Sequence, residues 1–490
     1  MTVDTMKLEK AEPLRLHAPR SGTMVVDADI YVSDRMKLES DAVRQLYDAA
    51  SLPPAKRVLA TADIHVGFGV PIGCVLAMKD AIMPAAVGYD INCGMRLLST
   101  PFTKGQIDVE KIAQSIARDI PLGEGKDNLH LDSKSVEAVV EQGVKSIPTL
   151  ARHINTRAWE AFDPDQFNND LQHIEDNGNL PADMSAIPRH AIEKGANQLG
   201  TLGGGNHFIE IQYIEQIFDE TIAKQFGLSK NQIVVMIHSG SRRFGYEIAD
   251  HYMNVAASLP GMEGRKKMLS FITADNRSFD DYIKAMSAAA NFAYVNRHVM
   301  AMLVRRCFNR MFPDTSGLNL IYDVTHNMAK LEQHPLLLSQ ENAGAGKLWV
   351  HRKGATRAFG PDRMSATPFA RTGQPIITPG SMGTSSYLLV GTGQSDESLC
   401  SVNHGAGRVM SRSAALGKTR RGKIISAPAI TDDAFKRSMA GIKLITPNRQ
   451  KVKEEAPAAY KDINEVVRIV AERGWAKKIA VMRPLAVLKG

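Results

Sequence analysis

Apolar residues recur at helical spacing in four stretches. Val43, Leu46 and Tyr47 follow Ser40 and Asp41, which predicts a helix capped at its start. Residues 107–120 place Ile112, Ile116 and Ile120 on one face, and residues 133–147 do the same with Val136, Val139, Val140 and Val144. Residues 278–312 form the longest helical stretch, opened by a capping-box-like pair, Ser278 and Asp281, with Asp in place of the usual Glu. Between the helices lie short apolar runs bounded by Gly, Pro, His or Ser: 232–237, 318–324, 347–350, 375–378 and 386–391, with a strand-like tail, KKIAVMRPLAVLKG. The first 60 residues read as a short β-rich and helical entry. Strands and helices interleave without a βαβ rhythm, so the pattern predicts an α+β fold of mixed, largely antiparallel sheets with surrounding helices. Residues 160–187, which include FDPDQFNNDLQHIEDNGNLPAD, break the periodicity and predict an exposed acidic loop or small insertion.

Composition narrows the class. The chain has 490 residues, 44% hydrophobic and 23% charged, which excludes disorder over most of its length. No run of about 18 uncharged apolar residues occurs, and the N-terminus has no apolar stretch, so neither a membrane span nor a secretory signal is expected. The formal net charge of +8 favours polyanionic partners such as nucleic acid or nucleotides. Cys74, Cys93, Cys307 and Cys400 lie far apart with no CxxC pair, which points to a reducing cytoplasm and to each cysteine being a buried apolar residue or a functional thiolate. Arg297, Arg305, Arg306 and Arg310 on the long helix read as a solvated face or, more sharply, a track for a phosphate backbone.

Histidines collect at strand ends. His207 sits in LGTLGGGNHFIE, His238 in VVMIHSGSRR and His326 in IYDVTHNMAK, each beside Gly, Ser or Asn. A histidine so placed projects into a loop-lined site, although any one of them alone is more often structural. Asp90 and Cys93 follow an apolar segment in AAVGYDINCGMRLL, at a spacing that lets both reach one metal ion or two adjacent ions. With the three histidines they could form a binuclear site bridged by Cys93, and ligand type alone favours zinc. GTLGGGNHF and PGSMGTSS offer unobstructed backbone N–H groups and hydroxyls for phosphate oxygens, although each read singly is a tight turn and neither is a Walker motif. His404, in VNHGAGRVMSR, can act as a nucleophile toward phosphorus, and His351, Arg352, Lys353 and Arg357 supply cations for a phosphate chain.

The strings DINCGMR, LGTLGGGNHFIE, IHSGSRRFG, DVTHN, HRKGATRAF, PGSMGTSS, HGAGRVMSR and the terminal AVLKG occur in that order, and together the chain resembles the RtcB family of RNA-splicing ligases. The resemblance covers nearly the whole chain and implies one RtcB-like catalytic domain over residues 1–490. It implies joining of an RNA 3′-phosphate or 2′,3′-cyclic phosphate to a 5′-hydroxyl, with GTP and two Mn²⁺ ions. Asp90, Cys93 and His207 would hold one ion, and Cys93, His238 and His326 the other. His404 would be the nucleophile that takes GMP. Asn206, His207, Phe208, Ile209, Glu210, His326, Asn327, Pro379, Gly380, Ser381, Met382, Ser386, His404, Gly405, Ala406, Gly407 and Lys489 match positions of the guanylate site. The metal implied by the resemblance, manganese, thus differs from the zinc that ligand type suggests. An archease-type activator is a further implied partner. The competing readings are a metal-dependent cyclic phosphodiesterase that does not ligate, a DNA 3′-phosphate end-capping enzyme, and a non-catalytic RNA-binding metalloprotein.

Overall fold

The computed structural model describes residues 7–154, 156–313, 317–334, 346–420 and 423–490. The expected strands form, and they assemble into two large, mostly antiparallel sheets. One has eight strands. Its main path runs Asn319–Thr325, Gly94–Thr103, Gln232–Ser239, Phe208–Ile217, Ala476–Lys489, Ser386–Gly391, Pro375–Thr378, and Lys443–Ile445 joins alongside Ala476–Lys489 in parallel. The other has seven, in the order Glu9–Glu12, Arg15–Ala18, Ala28–Ile30, Ala55–His65, Ile72–Met78, Leu348–Lys353, Asn327–Glu332. The fold is therefore α+β, as the interleaved pattern predicts.

Register explains how distant residues meet. In the eight-stranded sheet Gly94 lies opposite both Thr325 and Ser239, and Phe208 lies opposite both His238 and Lys489. Because neighbouring strands run antiparallel, one end of the sheet gathers the start of one strand and the finish of the next. That end carries, in spatial order, His326, Cys93, His238, His207 and Lys489. The seven-stranded sheet likewise brings His65, Ile72, Lys353 and Asn327 to one end. His326 and Asn327 are consecutive, so the two sheet ends face a shared cleft.

The expected helices form over Ser40–Ala50, Val109–Asp119, Ser133–Gln142 and Ser278–Met311. Asp108 and Asp132 cap the second and third through their side chains. The cap expected from Ser40 and Asp41 is not made, since Glu39 precedes that helix without a side-chain hydrogen bond. The Ser278–Asp281 box is also absent; instead Asn276 Oδ1 accepts from the Ser278 amide at 2.9 Å.

The 34-residue helix Ser278–Met311 is buried along most of its length, which corrects both readings of its arginines. Arg297 binds the buried Asp323 at 2.7 Å, Arg305 binds Asp170 at 2.6 Å, and Arg306 binds Glu160 at 2.7 Å and Asp119 at 2.5 Å. These side chains are ion-paired inside the protein, so they form neither a solvated face nor a phosphate track; Arg310 alone of the four is exposed. The expectation of an exposed loop at 160–187 is corrected with them. The segment contains the helix Pro164–Gln172 and two short 3₁₀ turns, and it buries Phe167, Asp170, Ile174 and Glu175 against the long helix and its neighbours. Among the described residues no helix is long and apolar enough to cross a membrane.

Candidate active site

The cleft between the two sheet ends has a volume of 850 Å³. Its floor holds two groups of potential metal ligands that share Cys93: Asp90, Cys93 and His207, and Cys93, His238 and His326. Cys93 Sγ lies 3.4 Å from His207 Nε2 and 3.2 Å from His238 Nε2. His207 Nε2 is 2.8 Å from Asp90 Oδ2, and His238 Nε2 is 3.3 Å from His326 Nε2. His207 Nδ1 lies 3.1 Å from the Leu202 carbonyl; donation to that oxygen leaves Nε2 as the ligand nitrogen. His238 lacks such a brace, because its Nδ1 is buried without a hydrogen-bond partner. Its ring is held by edge-on packing against Phe208 and His326.

The donor set fits cations. Burial pushes His238 and His326 well below the ordinary imidazole range, helped by neighbouring positive charge, so both rings are neutral. Two neutral imidazoles with facing Nε2 atoms and a sulfur between them are poorly matched to one another but well matched to a shared cation. Burial, reinforced by Asp90, drives the Cys93 thiol well above its usual range, and coordination would ionise it. Burial would raise Asp90 too, but the charge and hydrogen bond of His207, with Arg242 nearby, outweigh it and hold the carboxyl at about 2. Gly240 is required beside this carboxylate: a Cβ there would come within 2.3 Å of Asp90 Oδ1.

His404 stands on the opposite wall, after the short strand Ser401–Asn403. Its ring centroid is 5.0 Å from that of His326, which sets the nucleophile candidate against the ligand cluster. His404 Nδ1 lies 2.6 Å from Asp63 Oδ2, and the same oxygen accepts from the His404 amide at 3.0 Å. Asp63 Oδ1 accepts from Thr61 Oγ1 at 2.6 Å. Burial opposes ionisation of Asp63, but His404, Thr61 and Lys461 together hold it below the usual carboxylate range. An ionised Asp63 keeps the proton of His404 on Nδ1 and leaves the Nε2 lone pair free. Gly407, at φ 72°, lets the HGAGR turn lie on the Asp63 backbone; a Cβ there would come within 2.2 Å of the Asp63 carbonyl oxygen.

The remaining expected residues divide into three groups. Asn206, Phe208, Asn327, Pro379, Gly380, Ser381, Met382, Gly405, Ala406, Gly407 and Lys489 line the cleft. Asn327 ties the walls together, donating to the Asp90 carbonyl at 3.1 Å and accepting from the Gly354 amide at 2.8 Å. Glu210 and Ser386 lie just behind the lining and are linked by Gln212, whose Nε2 donates to Glu210 at 2.6 Å and to Ser386 at 3.1 Å. Burial raises Glu210 to about 8 against the pull of Gln212 and Lys489. The buried Lys489 is lowered by burial, opposed by Glu455 and Glu210. Ile209 is separate: it is fully buried in the hydrophobic core, and its side chain does not reach the cleft.

The cations of HRKGATRAF do not form a phosphate cradle. Arg352 is bidentate on the buried Glu332, Arg357 pairs with Glu175, and His351 Nε2 accepts from the Met83 amide. Of these four only Lys353 lines the cleft. Sequence reasoning missed or misassigned three groups that shape the site. Asp63 is the first. Arg297 is the second, donating to the Asn92 and Ser239 carbonyls, each next to a candidate ligand residue, at 2.8 and 2.9 Å. The third is Glu455, which gathers Arg408 at 3.1 Å and Arg412 at 3.2 Å on the cleft wall.

Comparison with known proteins agrees with this geometry. The family model described as tRNA-splicing ligase RtcB matches residues 45–490. The tRNA-splicing ligase RtcB of Pyrobaculum aerophilum is 37% identical over 479 residues, covering 94% of this chain and 94% of the relative. That of Nanoarchaeum equitans is 37% identical over 502 residues, covering 99% and 100%. That of Thermococcus kodakarensis is 36% identical over 509 residues, covering 99% and 100%. A match across nearly the full length of both chains, on a sequence whose motif residues gather around one cleft, shows that the chain belongs to the RtcB family.

Proposed function

We propose that the protein is an RNA ligase that joins RNA 3′-phosphate or 2′,3′-cyclic phosphate ends to 5′-hydroxyl ends, consuming GTP, as in tRNA splicing or RNA repair in the cytoplasm. The observation that carries this reading is the placement of His404, with Nδ1 bound to Asp63 and its ring against the Cys93–His238–His326 cluster. A 3′-phosphate is a poor electrophile because its oxygens are poor leaving groups. His404 Nε2 attacks the α-phosphorus of GTP and pyrophosphate departs. A 2′,3′-cyclic phosphate must first take up water and open to the 3′-phosphate; GMP then passes from His404 Nε2 to a 3′-phosphate oxygen, and GMP leaves when the 5′-hydroxyl attacks the 3′-phosphorus. Histidine suits the first step because a phosphoramidate gives up its phosphoryl group readily.

The chain's own residues have separable roles. Asp63 fixes the tautomer of His404 and stabilises the positive charge on its ring in the transition state. Lys489, Glu210, Ser381, Ser386, Asn206, Phe208 and Asn327 surround the guanylate. Two Mn²⁺ ions, one on Asp90, Cys93 and His207 and one on Cys93, His238 and His326, would supply Lewis-acid stabilisation of the phosphoryl oxygens. Thiolate and imidazole favour Zn²⁺ by softness, but turnover needs exchangeable positions, so Mn²⁺ is the working ion and Zn²⁺ is expected to inhibit.

The test is incubation of two RNAs, one ending in a 3′-phosphate and one beginning with a 5′-hydroxyl, with GTP and Mn²⁺. A joined product that requires all four components supports the reading. Opening of a cyclic phosphate without any joining would replace it with a phosphoesterase.

A further inference from the structure

Soluble proteins leave single apolar side chains exposed at random, but a cluster on a rigid support beside a cleft needs a reason. Val66 and Phe68 line the mouth of the cleft and are 41% and 64% exposed. Tyr246, 39% exposed, lies beside them through Tyr89. Phe68 meets the Tyr89 ring edge-on at 5.8 Å, and Tyr89 stacks on Tyr246 at 4.6 Å with the planes 17° apart. Arg243 covers the Tyr246 ring with its guanidinium 4.9 Å from the centroid. Tyr89 directly precedes Asp90, so the middle ring of this aromatic row adjoins the candidate ligand floor.

The loop that carries Phe68 is pinned. Gln45 holds Gly67 at both ends of its side-chain amide, donating to the Gly67 carbonyl at 2.6 Å and accepting from the Gly67 amide at 2.9 Å. Lys353 donates to the Phe68 carbonyl and, at 2.8 Å, to the Ala85 carbonyl. Lys353 immediately precedes Gly354, whose position is tied to Asn327. An exposed phenyl ring on a backbone braced in this way is presented outward with little ordering left to lose on binding.

We infer that Phe68, backed by the Tyr89–Tyr246 stack, forms a shelf on which an unpaired base of the RNA end stacks next to the ligation site. Every base has a π-face, so such a shelf grips single-stranded ends without reading their sequence, and a neighbouring guanidinium adds attraction for the backbone. Guanine is expected on the other side of the cleft, near Glu210 and Lys489, so the shelf serves the polynucleotide. It selects for a frayed or single-stranded terminus over a base-paired one. This inference rests on the RNA-ligase reading above.

The experiment measures ligation by the full-length protein as a function of RNA concentration at saturating GTP, beside GMP attachment as a function of GTP. Phe68→Ala is expected to raise KM for RNA about tenfold with a smaller change in kcat. Phe68→Trp restores a stacking face and is expected to return KM to within about threefold of wild type. Tyr246→Ala, farther along the row, is expected to give an intermediate rise. An unchanged RNA KM in Phe68→Ala would overturn the shelf while leaving the ligase reading intact. A raised KM for GTP in GMP attachment would overturn it differently, by placing guanine there. Failure of the wild-type protein to ligate at all would be a failure of the ligase reading itself.

Discussion

His404 Nδ1 lies 2.6 Å from Asp63 Oδ2, a pair separated by 341 residues of sequence. Because Asp63 also accepts the His404 amide, the carboxylate sets both the backbone and the ring of the proposed nucleophile. Asp63→Asn keeps the shape of the side chain, but its amide can present N–H to Nδ1 and turn the imidazole to the wrong tautomer. GMP attachment to His404 is expected to slow about 100-fold or more, with little change in melting temperature. Stopped-time labelling with α-labelled GTP reads the rate; wild-type labelling in Asp63→Asn would remove Asp63 from the mechanism.

Cys93 is the one residue common to both ligand groups. Cys93→Ala is expected to abolish binding of two Mn²⁺ ions and GMP attachment together. Cys74, Cys307 and Cys400, all free and buried, are expected to tolerate Ala or Ser with effects on stability only. Metal content by mass spectrometry of the folded variants decides the point. Two bound ions in Cys93→Ala would show that the sulfur does not bridge.

The Arg297–Asp323 pair is fully buried and bonded to the backbone beside two ligand residues. Asp323 also binds Arg96 at 2.7 Å. Removing one partner strands the others without counter-charge, so Arg297→Ala is expected to cost about 3–5 kcal/mol of stability. Lysine should not rescue it, since one ammonium cannot reproduce the guanidinium fork that reaches Asp323 and both carbonyls. Chemical denaturation checks both variants, and a loss under 1 kcal/mol for Arg297→Ala would contradict the bracing role.

Much of the fold could be read in the sequence because strands and amphipathic helices are local patterns. The histidines that cluster with Asp90 and Cys93 were legible for a related reason: they stand out at strand ends beside glycine. Asp63 was not legible. It is a single carboxylate in an apolar strand, and only the tertiary fold brings it to His404. The long helix and the segment 160–187 were misread through one shared error. Arginines look solvent-facing by type, and acidic residues beside Asn and Pro look like a loop. In the structure they satisfy each other: Arg305 with Asp170, and Arg306 with Glu160. Pairing across such distances leaves no periodic trace in either segment.

Glu210 provides a pH signature. Its carboxyl is raised by burial to about 8 in the fold, against an ordinary 4.5. The proton is held more tightly by the folded chain than by the unfolded one. The stability this contributes is fully present below pH 4.5 and is lost as pH rises through about 8. In Glu210→Gln that source of loss is gone. Melting of the GTP-free protein between pH 5 and pH 8 should therefore decline less steeply in Glu210→Gln than in wild type. Parallel declines would show that Glu210 titrates normally.

The proposed ligase chemistry requires that His404 carry GMP. Incubation with Mn²⁺ and α-labelled GTP, followed by peptide mass spectrometry, tests it most directly. One acid-labile GMP adduct on His404 is expected in the wild-type protein, and no labelling of His404→Ala. Labelling of His404→Ala at the wild-type level, or an adduct mapped to another residue such as Lys489, would contradict it.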